Sequence, residues 1–225
     1  MTPGDAQERE SALDRRHRVV LWALAISRPQ AATPDRIAEA LWTGSQPATR
    51  DKVIQGSISL LRKSYGADAI RTVDGGYRLS HKVVTVCDHF ERQVARARQL
   101  LAVGQADRAA FVLADTMASW AGPPYEELAH WPPAVAEQGR LAEVTLQAEE
   151  LYVDALLAVG RAVDALPEAR LLATAQPLRE SRSLALAKAA YRAGNQAEAL
   201  QVLRDCRETL SDELGIDPSE ELGAL

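Results

Sequence analysis

Between Thr49 and Tyr65, the side chains Lys52, Gln55, Ser59, Arg62 and Lys63 fall on one side of a helical wheel. On the other side Ile54, Ile58, Leu61 and Tyr65 recur at the i, i+4, i+7, i+11 spacing of a single buried stripe. Arg50 stands in the first turn of the same stretch. Long cationic donors interspersed with an amide and a hydroxyl are the groups that hydrogen-bond base edges and phosphates in a DNA major groove. The apolar stripe would hold such a helix on its own domain and leave the polar stripe free for a duplex. A cationic helix face alone is more often merely solvated, so the flanking elements have to decide.

Those elements form an ordered set. Ahead of the polar helix, Thr33 can cap a short helix, Pro34 suits its first position because it lacks an N–H, and Asp35 favours the positive end of the dipole. Ile37, Ala40 and Leu41 supply its buried side, and the helix is expected to stop at Trp42, before the loop Thr43-Gly44-Ser45-Gln46-Pro47. After the polar helix, Ile70-Arg71-Thr72-Val73 and Tyr77-Arg78-Leu79 read as two short strands joined through Asp74-Gly75-Gly76, residues that tolerate positive φ in a tight turn. Helix, loop, helix and hairpin in this order predict a winged helix-turn-helix, with Arg71 or Arg78 on the wing near a phosphate. Another helix, from about Leu13 to Ser27, turns Val20, Ala23 and Leu24 inward.

Charge divides the 225 residues in two. Up to Lys82 there are 13 Lys+Arg against 9 Asp+Glu, a net of +4; from Val83 on there are 13 against 22, a net of −9, and the sum is the −5 of the whole chain. An acidic protein can still bind nucleic acid when its cations are gathered in one part, because the phosphates respond to local charge. Residues 1–82 are therefore expected to form the DNA-binding domain and residues 83–225 a second domain. No stretch approaches the ~20 apolar residues needed to cross a bilayer, and Met1-Thr2-Pro3-Gly4-Asp5 lacks a basic segment followed by an apolar one. A cytoplasmic protein without a membrane role is expected. Cys87 and Cys206 are far apart and have no His cluster, which argues against a disulfide framework or a metal site.

The second domain carries a repeat. Gly104, Gly160 and Gly194 each follow an apolar run, and Ala109, Ala165 and Ala199 come five residues later, followed after four more by Leu113, Ala169 and Leu203. Glycine suits the turn between two antiparallel helices and a small alanine lets them approach closely. The spacing predicts an irregular, tetratricopeptide-like array, with Pro177 closing one helix and Trp120 to Pro133 inserted between units. The fold class expected is thus mainly α: a winged helix-turn-helix with a small β-hairpin, then an all-α array.

Seven runs carry a family resemblance: Pro34-Asp35-Arg36-Ile37-Ala38-Glu39-Ala40-Leu41-Trp42, Gly76-Tyr77-Arg78-Leu79, His89-Phe90-Glu91-Arg92, Trp120-Ala121-Gly122, Gln176-Pro177-Leu178-Arg179-Glu180, Tyr191-Arg192-Ala193-Gly194 and Glu213-Leu214-Gly215-Ile216-Asp217-Pro218. Through them, residues 17–225 resemble the Streptomyces antibiotic regulatory protein family, in which an OmpR-like winged helix precedes a bacterial transcriptional activator domain. The resemblance implies an activator of secondary metabolism genes that binds direct repeats in double-stranded promoter DNA and recruits RNA polymerase. Two departures stand out. The family's N-terminal strands have no counterpart in the polar stretch Met1 to Asp14, which would bare apolar surface on the first helix for a partner or a homodimer contact. On the polar helix, Leu60 stands where the family often has Arg and Gly56 where it often has a polar residue. These favour the alternative of a protein-interaction adaptor with weak DNA binding, since Arg is the commonest bidentate reader of guanine.

Catalytic constellations are not apparent. The sequence has no glycine-rich phosphate loop, no G-x-S-x-G elbow and no H-E-x-x-H pair, so neither an enzyme nor a cofactor is expected. His17, His81, His89 and His130 are scattered. Glu126-Glu127, Glu149-Glu150 and Glu220-Glu221 are adjacent pairs that point about 100° apart on a helix and read as solubilising surface. Trp120, Tyr125 and Trp131, with prolines between them, form a connector that serves either as packing or as a ligand contact.

Overall fold

The computed structural model describes residues 8–219 and Leu222, and the chain divides into two compact units. The first comprises the chain up to Arg92 together with Ser119–Val144; the second comprises Gln93–Ala118 and the chain from Thr145 on. The expected boundary at residues 82 and 83 therefore misses a return: the aromatic connector groups with the winged helix.

In the first unit, residues 8–11 make one helical turn, followed by α1 (Arg15–Ile26). Asp14 caps α1 by accepting from the His17 amide at 3.0 Å. Val19 to Leu24 are all buried, so α1 is apolar around its circumference and forms the centre of this unit. Thr33 accepts the Arg36 amide at 3.1 Å and starts α2 (Pro34–Leu41), which ends at Trp42 as expected. Then come α3 (Arg50–Tyr65), a 3₁₀ turn at Ala67–Ala69 and the antiparallel strands β1 (Ile70–Val73) and β2 (Gly76–Leu79). Their register pairs Ile70 with Leu79, Arg71 with Arg78, Thr72 with Tyr77 and Val73 with Gly76.

The apolar face of α1 is not bare, contrary to expectation. Tyr125 meets Trp22 edge-on, with ring centroids 5.7 Å apart and planes at 83°, and Leu128, Trp131 and Ala134 are buried in the same core. Trp120 stacks on Phe90 at 4.1 Å. The Tyr125 hydroxyl donates to the buried Cys87 sulfur at 3.3 Å, and burial pushes that thiol up to about 12. Of the two readings of the connector, packing holds. One carboxylate of its acidic pair is also employed: Glu127 accepts from Arg18 at 2.6 Å and pairs with Arg15 at 3.2 Å.

The remaining helices are α4 (Val86–Ala102), α5 (Ala106–Ser119), α6 (Pro132–Ala158), α7 (Ala162–Ala175), α8 (Glu180–Arg192) and α9 (Gln196–Leu214). In the second unit the repeat is a repeated hydrogen-bonded turn. Gly104, Gly160 and Gly194 have φ of 76°, 77° and 87°, and the amides of Gln105, Arg161 and Asn195 reach back five residues to Leu100, Leu156 and Ala190 at 2.8–2.9 Å. This Schellman closure needs a left-handed residue, which glycine adopts without a Cβ clash. Ala109, Ala165 and Ala199 then sit buried where paired helices meet. Pro177 follows the end of α7 by two residues.

Glu149 and Glu150 are not free surface. Arg182, 1% exposed, donates to Glu149 at 2.5 Å and also to the Leu172 carbonyl at 3.2 Å, while Glu150 accepts from Arg179 and, at 3.4 Å, from Arg182. Two carboxylates 100° apart on α6 straddle one long guanidinium, which completes a buried ion cluster. Glu220 and Glu221 lie outside the described residues. No described helix is long and apolar enough to cross a membrane.

Candidate nucleic-acid interface

The loop before α3 and the hairpin after it fix how α3 is presented. Ile54, Ser57, Ile58 and Leu61 are buried, and on the opposite side Lys52, Gln55, Ser59 and Lys63 are exposed. These four make no side-chain hydrogen bond or ion pair with any described residue. Asp51 favours the positive end of the helix dipole.

Two of the predicted site residues are placed otherwise. Arg62 donates through Nε to the Ile70 carbonyl and through Nη2 to Thr72 Oγ1, both at 2.8 Å. It therefore clamps β1 to the last turn of α3. Arg50 reaches Asp35 in the first turn of α2 at 2.6 Å, Gln46 in the loop at 2.5 Å and Asp51 at 3.4 Å. That set binds the two helices across their loop. Both arginines, expected from the sequence at the DNA surface, bond here to acceptors that the fold brings within reach of each.

A third segment pairs with the wing. Ala32, in the loop before α2, exchanges two backbone hydrogen bonds with Tyr77, at 2.8 and 2.9 Å. Gly76 lies against this rung so closely that an added Cβ would stand 2.2 Å from the Ala32 carbonyl oxygen. Arg71 and Arg78 are both exposed and directly opposite each other across the two strands. Like charges at a cross-strand pair are destabilising, so this rung is at its most favourable when an anion shares it.

The base of the wing is anchored to the start of α4. Arg28 donates to Asp88 at 2.8 Å and to the carbonyls of Ser80 and Val83 at 3.1 and 2.7 Å. Thr85 and Asp88 cap α4 reciprocally, the Asp88 amide donating to Thr85 Oγ1 and the Thr85 amide to the Asp88 carboxylate. Glu10, 5% exposed, accepts the Val86 amide at 2.9 Å and Trp22 Nε1 at 3.2 Å. None of these supports stood out in the sequence. Thr85-x-x-Asp88 carries a local signal, the capping-box spacing, and Gln46 lies at i, i+4 from Arg50; Glu10, Thr72 and Ala32 carry none.

Residues 87–225 match the bacterial transcriptional activator domain family. The chain belongs to that family. Its relatives extend the match through the winged helix. The regulatory protein AfsR of Streptomyces griseus is 34% identical over 214 residues, 92% of this chain and 21% of AfsR. The transcriptional regulatory protein EmbR of Mycobacterium tuberculosis is 30% identical over 93% of this chain and 56% of EmbR. The structure of M. tuberculosis EmbR in complex with a low affinity phosphopeptide superposes with a TM-score of 0.79 and 28% identity, over 93% of this chain and 57% of that one. The chain thus spans about half, or about a fifth, of the length of these relatives. The family resemblance and the mainly α fold with a β-hairpin wing are both borne out.

Proposed function

We propose that this chain reads promoter DNA through α3 and the wing and activates transcription by recruiting RNA polymerase through its acidic helical unit. The observation that supports the reading is the exposed Arg71–Arg78 pair on the wing together with the exposed Lys52 and Lys63 on α3. Four cations without a side-chain partner among the described residues, on two elements tied together by Arg62, can bind phosphates while Gln55 and Ser59 hydrogen-bond base edges. The names of the relatives, regulatory and transcriptional regulatory proteins, support the same role. In this reading two protomers occupy direct repeats. Recruitment demands little: a coupling of about 1–3 kcal/mol raises polymerase occupancy some 5- to 150-fold.

The test is selection of genomic fragments at about 150 mM salt, a concentration at which phosphate contacts alone are weak, run beside a Lys52→Ala, Lys63→Ala variant. The expected result is a shared motif that the variant fails to enrich. Fragments without a motif, captured equally by both proteins, would refute the proposal.

A further inference from the structure

The reading face of α3 contains two residues that its cations do not explain. Gly56 lies mid-helix on the exposed side, and a Cβ built there meets nothing within 4 Å, so no packing in the chain requires glycine at a position where it weakens the helix. Leu60, one turn later, is 39% exposed on a helix whose Lys52, Ser59 and Lys63 are also exposed. Gly56 and Leu60, four residues apart on one side of the helix, leave an uncovered aliphatic side chain one turn from a position without a side chain, a notch on this face.

We infer that this notch receives the 5-methyl group of a thymine, with Gly56 letting the helix backbone approach and Leu60 covering the methyl. The inference rests on the DNA reading of α3. The thymine methyl is the one apolar group in the pattern that distinguishes base pairs in the major groove, and aliphatic side chains are its natural contacts. The exposed lysines of the same helix suit the phosphates of a duplex, the occupant this reading takes. The chain would therefore discriminate by shape and desolvation where an arginine would discriminate guanine by hydrogen bonds.

Deoxyuridine isolates the contact, because it keeps every hydrogen-bonding edge of thymine and lacks only the methyl. Duplexes selected from a random library by the whole chain would be resynthesised with deoxyuridine at one thymine at a time and titrated with the wild-type, Leu60→Ala and Gly56→Ala proteins. At one or more positions in each half-site, wild-type affinity should fall about fourfold, which is the ~0.8 kcal/mol of one buried methyl group at 1.4 kcal/mol per tenfold. Leu60→Ala should lose most of this discrimination. Gly56→Ala should raise the thermal midpoint of the protein and still weaken binding to the thymine duplex, opposite signs that a merely structural glycine would not produce. A selected motif with no sensitive thymine would overturn this inference and leave the DNA reading intact. Discrimination that persists in Leu60→Ala would overturn the assignment of the notch. Failure to select any motif would overturn the DNA reading and this inference with it.

Discussion

Arg62 and Lys63 are neighbours in sequence and should behave oppositely in a salt titration. If Lys52, Lys63, Arg71 and Arg78 each neutralise one phosphate, log K should fall with log salt at a slope of about −3.6 per protomer, at 0.9 per contact. Between about 50 and 200 mM salt that slope costs roughly 150-fold in affinity. Lys63→Ala removes one contact, so its slope should be shallower by about 0.9 and its loss over the same range smaller by about 3.5-fold. Arg62→Ala removes instead the two 2.8 Å bonds to Ile70 and Thr72. At a half-exposed site those bonds contribute on the order of 1 kcal/mol, so the expected change is a less stable, less well-held wing. Its affinity should drop by a factor that is the same at every salt concentration, with the slope unchanged. Fluorescence anisotropy on a labelled selected duplex, with urea unfolding of both variants, separates these outcomes. If Arg62→Ala flattens the slope as much as Lys63→Ala, the guanidinium abandons the wing for a phosphate on binding, and the clamp assignment is wrong.

Gly76→Ala would place a Cβ 2.2 Å from the Ala32 carbonyl oxygen and break the Ala32–Tyr77 rung, so it should destabilise the first unit by about 2–3 kcal/mol. Gly44→Ala, where nothing lies within 4 Å, is the control in urea unfolding, and equal midpoints for the two would contradict the close approach. Glu10 supplies a pH test: desolvation by burial raises its pKa above the ordinary 4.5, against the lowering effect of the Val86 and Trp22 donors. A group with a raised folded-state pKa holds more protons folded than unfolded, so its contribution is fully present below 4.5 and declines as pH rises through the raised value. Wild-type protein should accordingly gain stability relative to Glu10→Gln as pH falls from neutral toward about 5. A relative loss over that interval would mean that the two donors outweigh burial.

The elements legible in the sequence are those written in local chemistry. Thr33-Pro34-Asp35 begins a helix because cap, ring and charge each satisfy its first turn, and Gly104, Gly160 and Gly194 mark turns because only a left-handed residue closes them. Allegiance across long separations is not written locally. Ser119–Val144 packs with the winged helix because Tyr125 and Leu128 enter its core, and neither periodicity nor charge distinguishes that from packing on the adjoining array. The candidate site was legible in part for a similar reason. A helical wheel sorts residues by exposure, and Lys52, Ser59 and Lys63, away from Ile54 and Ile58, are exposed among the described residues. Arg50 is one turn from Ile54, only about 40° around the helix, and Arg62 is one turn from Ile58 at the same offset. Both are polar residues on the shoulder of the buried stripe, where a long side chain meets neighbouring elements before it meets solvent. The division between side chains held by the fold and side chains left exposed on α3 therefore follows angular distance from the apolar stripe, and charge alone does not reveal it.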